Sequence, residues 1–152
     1  MQTLNEIIDE HPFWKGLQPS RLFRLQECAS EVRFGEQQQI FQEGATAECF
    51  YLIQWGRVAL ETFAPGKGVV TIQTIGAGEA LGWSWLFPPY RWHFTARSVK
   101  ETGAVSFDAR RLREMAGADS GFGYNLAMRV AGVMLQRLQA TRMQLLDFYG
   151  GQ

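Results

Sequence analysis

The sequence predicts a mainly β fold with flanking helices: an antiparallel sandwich or barrel, preceded by short helices and followed by one long helix. Three observations carry this. Between Val32 and Phe107 short apolar runs recur, cut by glycines from Gly35 through Gly56, Gly68 and Gly82 to Gly103. A turn about every ten residues is the spacing of an antiparallel, layered β structure. Helical patterns occupy both ends, and the C-terminal one is long. The composition permits such a domain, because 152 residues with 46% apolar and 20% charged side chains can bury a core without covalent staples.

The elements follow in order. Thr3 and Glu6 have capping-box spacing, which starts a helix that runs to Asp9. His11-Pro12 ends it, since the residue before proline avoids the helical region. Phe13, Trp14 and Leu17 follow as apolar anchors. Pro19-Ser20 opens a second helix, Arg21 to Ser30, with Leu22, Leu25, Cys28 and Ala29 on one stripe. Strands are expected at Val32–Phe34, Gln39–Phe41, Phe50–Gln54, Arg57–Phe63, Val69–Ile75, Phe94–Ser98 and Ala104–Asp108. In Arg57–Phe63 the residues Val58, Leu60 and Thr62 alternate with Arg57, Ala59, Glu61 and Phe63, the pattern of a half-buried strand. Pro65-Gly66-Lys67-Gly68 reads as a hairpin turn. Asp108 is placed to cap a helix to Met115, which Gly117–Gly123 should break. The last helix, Tyr124 to Phe148, stops at Gly150-Gly151 and would be roughly 37 Å long. The expected division is 1–123 for the barrel with its N-terminal helices and 124–152 for the long helix of the same domain.

That helix carries a seam. Tyr124, Ala127, Ala131, Met134, Leu138, Thr141, Leu145 and Phe148 are spaced alternately by 3 and 4, the repeat of a helix that pairs with another helix. Leu126, Val130 and Val133 form a second apolar face. One face can pack on the barrel while the other meets a second copy; alternatively the whole helix is buried in its own domain.

Charge and motifs narrow the function. Lys plus Arg and Asp plus Glu are 15 each, so no net field draws in nucleic acid or an anionic membrane. The chain ends shortly after the long helix, so no DNA-reading element is expected and no nucleic-acid partner for this chain alone. The N-terminus lacks a signal peptide, and no apolar run approaches the roughly 20 residues of a membrane span, so a cytoplasmic location without membrane contact is expected. Cys28 and Cys49 have no metal or redox spacing and read as buried reduced thiols. His11 and His93 have no sequence neighbours that suggest a metal or a dyad. Around Ser84, only Gly82 matches the glycines of a nucleophile elbow. Gly76, Gly78 and Gly82 lie in no βαβ unit. No catalytic residue, metal or covalently bound cofactor is expected, and the chain reads as a non-enzyme.

Ile40-Phe41-Gln42-Glu43-Gly44, then Phe50 to Val58 with Trp55-Gly56-Arg57, then Ile75-Gly76-Ala77-Gly78-Glu79-Ala80-Leu81-Gly82, are similar in order and spacing to cyclic-nucleotide-binding domains of the catabolite-activator (Crp/Fnr) type. The resemblance covers roughly residues 10 to 148. It implies a jelly roll (double-stranded β-helix), cyclic AMP or cyclic GMP as ligand, and a homodimer made by the C-terminal helix, which also lids the ligand. Met134, Arg137, Leu138, Thr141 and Leu145 would be the lid and dimer residues. In that family a short helical turn and an arginine hold the phosphate, and a glutamate after the cassette glycine takes the ribose hydroxyl.

Both side chains depart here. Trp83 stands at the glutamate position, and the arginine position falls on Trp92 or His93, with Arg91 one or two places early. Thr95 and Ala96 fall where a small or hydroxyl residue and an apolar one are expected. The candidate ligand-binding residues are therefore Gly82, Trp83, Ser84, Arg91, Trp92, Thr95 and Ala96. Trp83, Trp85, Phe87, Tyr90, Trp92 and Phe94 crowd the segment between Gly82 and Thr95. They either remodel the pocket for another flat ligand or fill and close it, while Arg91, Ser84 and backbone amides could retain a nucleotide. Arg97 reads as a solvated strand residue. The resulting expectation is a stand-alone regulatory sensor that binds cyclic AMP or cyclic GMP weakly, or another small ligand. The alternative is a protein-interaction and dimerisation module with an aromatic-filled pocket.

Overall fold

Eight strands pair in a nested order in the computed structural model, which describes residues 2–151. β1 (Ala29–Phe34) pairs with β8 (Thr102–Asp108), β2 (Gln39–Phe41) with β7 (Thr95–Ser98), β3 (Cys49–Trp55) with β6 (Ala80–Leu81), and β4 (Arg57–Ala64) with β5 (Gly68–Gly76). Every pairing is antiparallel, and β8–β3 and β7–β4 contacts complete two sheets, ordered β1-β8-β3-β6 and β2-β7-β4-β5. The strand region is thus one long ribbon folded back at the β4–β5 hairpin and rolled up. This is the jelly roll. The two sheets remain distinct rather than closing into one barrel.

The hairpin turn at Pro65–Gly68 forms as expected, with the Lys67 amide donating to the Ala64 carbonyl at 2.9 Å. Strand β4 departs from simple alternation. Ala59 and Glu61 are buried as well as Val58 and Leu60; Arg97 of β7, paired opposite Ala59, lies over Glu61. The shift in the β4–β5 ladder lies on β5, where Ile72 has no partner between Thr71 and Gln73, and the ladder of β4 with β7 is unbroken.

The N-terminal helices dock through aromatic rings. Helix α1 (Leu4–Glu10) starts on Thr3, whose hydroxyl accepts the Glu6 amide at 3.2 Å, as its spacing predicts. A 3-10 turn over Pro12–Trp14 then delivers Phe13 and Trp14 to Phe50 of β3, at ring distances of 5.1 and 6.4 Å. Trp14 also meets Phe107 of β8 at 5.7 Å. Each such buried side chain contributes roughly 1.5–3 kcal/mol.

Helix α2 (Pro19–Gln26) is shorter than the helical stripe suggested. Ala29 and Ser30 belong to β1 instead, where they pair with Phe107 and Ser106. Cys28 and Cys49 are free and only half-buried, a correction to the buried reading. The Cys28 thiol donates to the Leu25 carbonyl, and burial pushes its pKa up.

Helix α3 (Ala109–Ala118) begins on Asp108, whose carboxylate accepts the Arg111 amide at 3.1 Å. Helix α4 (Ser120–Gly150) begins four residues earlier than expected. The predicted break over Gly117–Gly123 shrinks to Asp119, which caps α4 by accepting the Phe122 amide at 3.1 Å. One strong cap outweighs the poor helix propensity of Gly121 and Gly123. At 31 residues, α4 is about 46 Å long. The chain separates into two compact units, one ending at Glu114 and the other beginning at Met115. In the second, Phe122, Leu126, Val130 and Arg137 are buried, and every described residue from Leu138 onward is exposed. No helix among the described residues is long and apolar enough to cross a membrane.

Candidate functional site

The cassette-like segment is stretched between two sheets. It leaves β6, which is paired to β3 through Tyr51–Leu81 and Leu52–Ala80, and enters β7, which is flanked by β2 and β4. Between them lie Gly82, a 3-10 turn over Ser84–Leu86, and a loop containing the cis Pro88-Pro89 bond.

Gly82 has φ +79°, and a Cβ added to it would lie 2.8 Å from Cζ3 of Trp92. The indole therefore rests directly on the glycine. Its other contact is Phe41, with ring centroids 3.7 Å apart and planes within 6°. Phe41 in turn stacks with Tyr51 at 6.4 Å and meets Phe94 at 5.6 Å. Trp92 is 4% exposed and Phe94 7%. An aromatic stack thus fills the volume in front of the cassette glycine. Burial also raises the Tyr51 pKa, which keeps its phenol protonated.

The side chains from 91 to 98 alternate strictly. Trp92, Phe94, Ala96 and Ser98 are buried, whereas Arg91 and His93 are exposed and Thr95 and Arg97 are half-exposed. Ala96 lies opposite Phe41 on one side and Leu60 on the other. Thr95 accepts the Glu43 amide at 3.0 Å. Arg91 donates to the Gly44 carbonyl at 3.0 Å. Arg97 is not simply solvated. Its guanidinium forks onto the buried Glu61, with Nη2 2.7 Å and Nε 3.2 Å from the carboxylate oxygens, and also reaches Gln37. Both arginines flanking the cassette are thus engaged by the protein itself.

The 3-10 turn is similarly committed. Half-buried Trp83 opens it. Ser84 is 1% exposed, and its hydroxyl lies 2.8 Å from Nδ1 of His93. Trp85 is fully buried and stacks on Phe50 at 4.7 Å, and its indole N–H has no hydrogen-bond partner among the described residues. The Ser84–His93 contact has the atoms of a nucleophile and a base, but a serine this buried is closed to a substrate. Among the described residues no three His, Cys, Asp or Glu side chains gather as metal ligands.

Three residues of the site went unrecognised in the sequence. Phe41, the stacking partner of Trp92, lay within the Ile40–Gly44 motif but carried no sign of its role. Glu61 was readable only as a charge in mid-strand. Arg113 of α3 had no signal at all, yet its Nη1 donates to the Trp85 carbonyl at 2.7 Å and its guanidinium lies 4.0 Å over the Tyr90 ring. It thereby clasps the cassette loop at both ends.

In α4 the candidate residues divide by exposure. Met134, Leu138, Thr141 and Leu145 are exposed, and Arg137 is buried. All eight seam residues from Tyr124 to Phe148 face solvent, with Tyr124 at 71%, Leu138 at 67% and Phe148 at 66%.

Comparison with known proteins agrees with this geometry. A CRP-like cAMP-activated global transcriptional regulator of Mycobacterium tuberculosis is 26% identical over 144 residues, covering 95% of this chain. The chain spans 62% of that regulator's length. Among solved structures, a Geobacter metallireducens protein assigned to cyclic-nucleotide binding superposes with a TM-score of 0.80 at 28% identity, covering 90% of this chain and 99% of its own. The regulatory subunit of a cAMP-independent protein kinase A from Trypanosoma brucei gives 0.74 at 15% identity, covering 91% of this chain and 49% of its own. The model of the cyclic nucleotide-binding domain matches residues 31–119, more than half of the chain. The jelly roll, the glycine-marked cassette and this match agree, and the chain belongs to the cyclic nucleotide-binding domain family.

Proposed function

We propose that this chain is a regulatory domain whose cassette is occupied by its own Trp92, so that it acts as a dimeric interaction module rather than as a tight receptor for cyclic AMP or cyclic GMP. The observation that carries this reading is the indole lying on Gly82 and stacked on Phe41. A ligand approaching the glycine would have to displace a buried aromatic pair. The charges point the same way. The glutamate position holds Trp83, and neither Arg91 nor Arg97 is free for a phosphate. Loss of two charge-assisted contacts removes about 3–6 kcal/mol of binding, a factor of about 10² to 10⁴ in affinity.

A second reading, weak binding of cyclic AMP or cyclic GMP, is favoured by the positive-φ Gly82 turn and the family match over residues 31–119. Calorimetry separates the two. No saturable heat is expected with either nucleotide at concentrations up to about 1 mM. Binding in the micromolar range would overturn the closed-cassette reading.

The proposed partner of α4 is a second copy. The seam keeps the 3-4 repeat over three heptads and stays exposed throughout, the condition under which two such helices pair.

A further inference from the structure

His11 is a buried titratable group with no part in the cassette. It is 5% exposed and caps the 3-10 turn of Pro12–Trp14. Its Nδ1 accepts the Phe13 amide at 3.1 Å, and its Nε2 lies 3.0 Å from the Ile53 carbonyl oxygen. A nitrogen that accepts from an N–H carries no proton, so the network assigns the proton to Nε2, which donates to Ile53. Both ring nitrogens are then used, and only in the neutral form. A second proton has only Nδ1 to occupy, where it would confront the Phe13 N–H. Burial acts in the same direction and lowers the pKa from 6.5, outweighing the Ile53 hydrogen bond, which favours the charged form.

Ile53 makes this contact consequential. Its carbonyl also accepts the Gly78 amide at 2.9 Å, and its own amide donates to the Glu79 carbonyl at 2.9 Å. The Gly76–Glu79 turn runs directly into β6 and Gly82. A cavity of about 140 Å³ beside the ring is lined by Glu10, Ile53, Gln54 and Gly78 among others. It gives a displaced imidazolium somewhere to move.

The surrounding charges are few. On α1 the acidic groups are Glu6, Asp9 and Glu10, all exposed. Glu10 alone lines the cavity and is bonded to Gln2. Glu79 turns its carboxylate to the Gly76 amide at 2.7 Å. β3 carries no Asp, Glu, Lys or Arg, only Cys49 and Tyr51, and Lys15 follows the 3-10 turn.

We propose that His11 is a proton-operated latch, which holds the N-terminal helices to β3 when neutral and releases them, with the turn entering the cassette, when protonated. The sign follows from the lowered folded pKa. The latch stabilises the docked state above the unfolded value of about 6.5 and is lost as the pH falls below it, by up to tenfold per pH unit.

Amide hydrogen exchange of the full chain between pH 8 and 5, corrected for intrinsic rates, reads the latch at Phe13 and Gly78. Protection at both amides should fall between pH 7 and 5, by up to about tenfold per pH unit below 6.5. His11→Asn keeps an oxygen acceptor for the Phe13 amide but does not titrate, so its profile should be flat. The chain has only two histidines, and His93→Gln should retain the wild-type profile. A flat wild-type profile, an unchanged profile in His11→Asn, or its loss in His93→Gln would each overturn the proposal. If His11→Asn does not fold, nitrogen NMR of the wild-type imidazole decides. A proton on Nε2 alone at pH 7.5 supports the latch, and a proton on Nδ1 refutes it.

Discussion

Substituting alanine for Gly82 tests whether Trp92 truly occupies the cassette. Gly82 holds φ +79°, in the left-handed region, and alanine there costs about 1–2 kcal/mol for the backbone alone. The new methyl would also stand 2.8 Å from Cζ3 of Trp92, well inside contact distance. The indole has little room to retreat, because it is 4% exposed and stacked on Phe41 at 3.7 Å. Overpacking of this kind costs typically about 1–3 kcal/mol. The sum is about 2–5 kcal/mol. For a chain of this size each kcal/mol lowers Tm by about 2–4 °C, so a fall centred near 10 °C is expected. Gly66→Ala is the control. It has φ +84° with nothing within 4 Å of an added Cβ, so it carries only the backbone cost, a fall of roughly 5 °C. Both variants would be melted at one protein concentration and followed by far-ultraviolet circular dichroism. Equal falls in Tm for the two glycines would show that Trp92 does not rest on Gly82, and the closed-cassette argument would lose its basis.

Two further outcomes follow from the geometry. Leu138→Glu places a charge in the exposed seam and should convert dimers to monomers in sedimentation velocity at micromolar concentration; an unchanged mass would remove α4 from the interface. Arg113→Ala deletes a charge-assisted bond to the Trp85 carbonyl and the stack on Tyr90. It should lower stability by about 1–3 kcal/mol in denaturant melts. Tyr90→Phe, which keeps the ring, should be nearly silent, and an equal loss in both variants would argue against the ring contact.

Strand existence was legible because short apolar runs recur between glycines through the β region. The nested pairing was not, since β1 meets β8 across some seventy residues and no local pattern records that. Ala29 and Ser30 show the conflict directly. They continue the α2 stripe, but their ladder with Phe107 and Ser106 decides. β6 has two residues, too few for any period to show. In the site, the density of aromatics was plain from the sequence, but not which rings face inward. That depended on the alternation of residues 92 to 98, set by the pairing of β7 with β2 and β4. Glu61 was hidden in the same way, because this carboxylate meets Arg97 from 36 residues away and no local pattern records that contact.

The same alternation constrains how this cassette can change over generations. Arg91 and His93 occupy outward slots, and Trp92 and Phe94 inward ones. No point substitution at 91 or 93 brings a cation inward. Loss of a single codon at position 94 would, because each preceding residue then moves one slot. Arg91 and His93 would then fall in inward slots and Trp92 in an outward one, and the loop before them would have to re-form, since Pro89 cannot take the φ +58° slot that Tyr90 holds. On this scaffold, spacing from β7 decides which cassette side chains face inward.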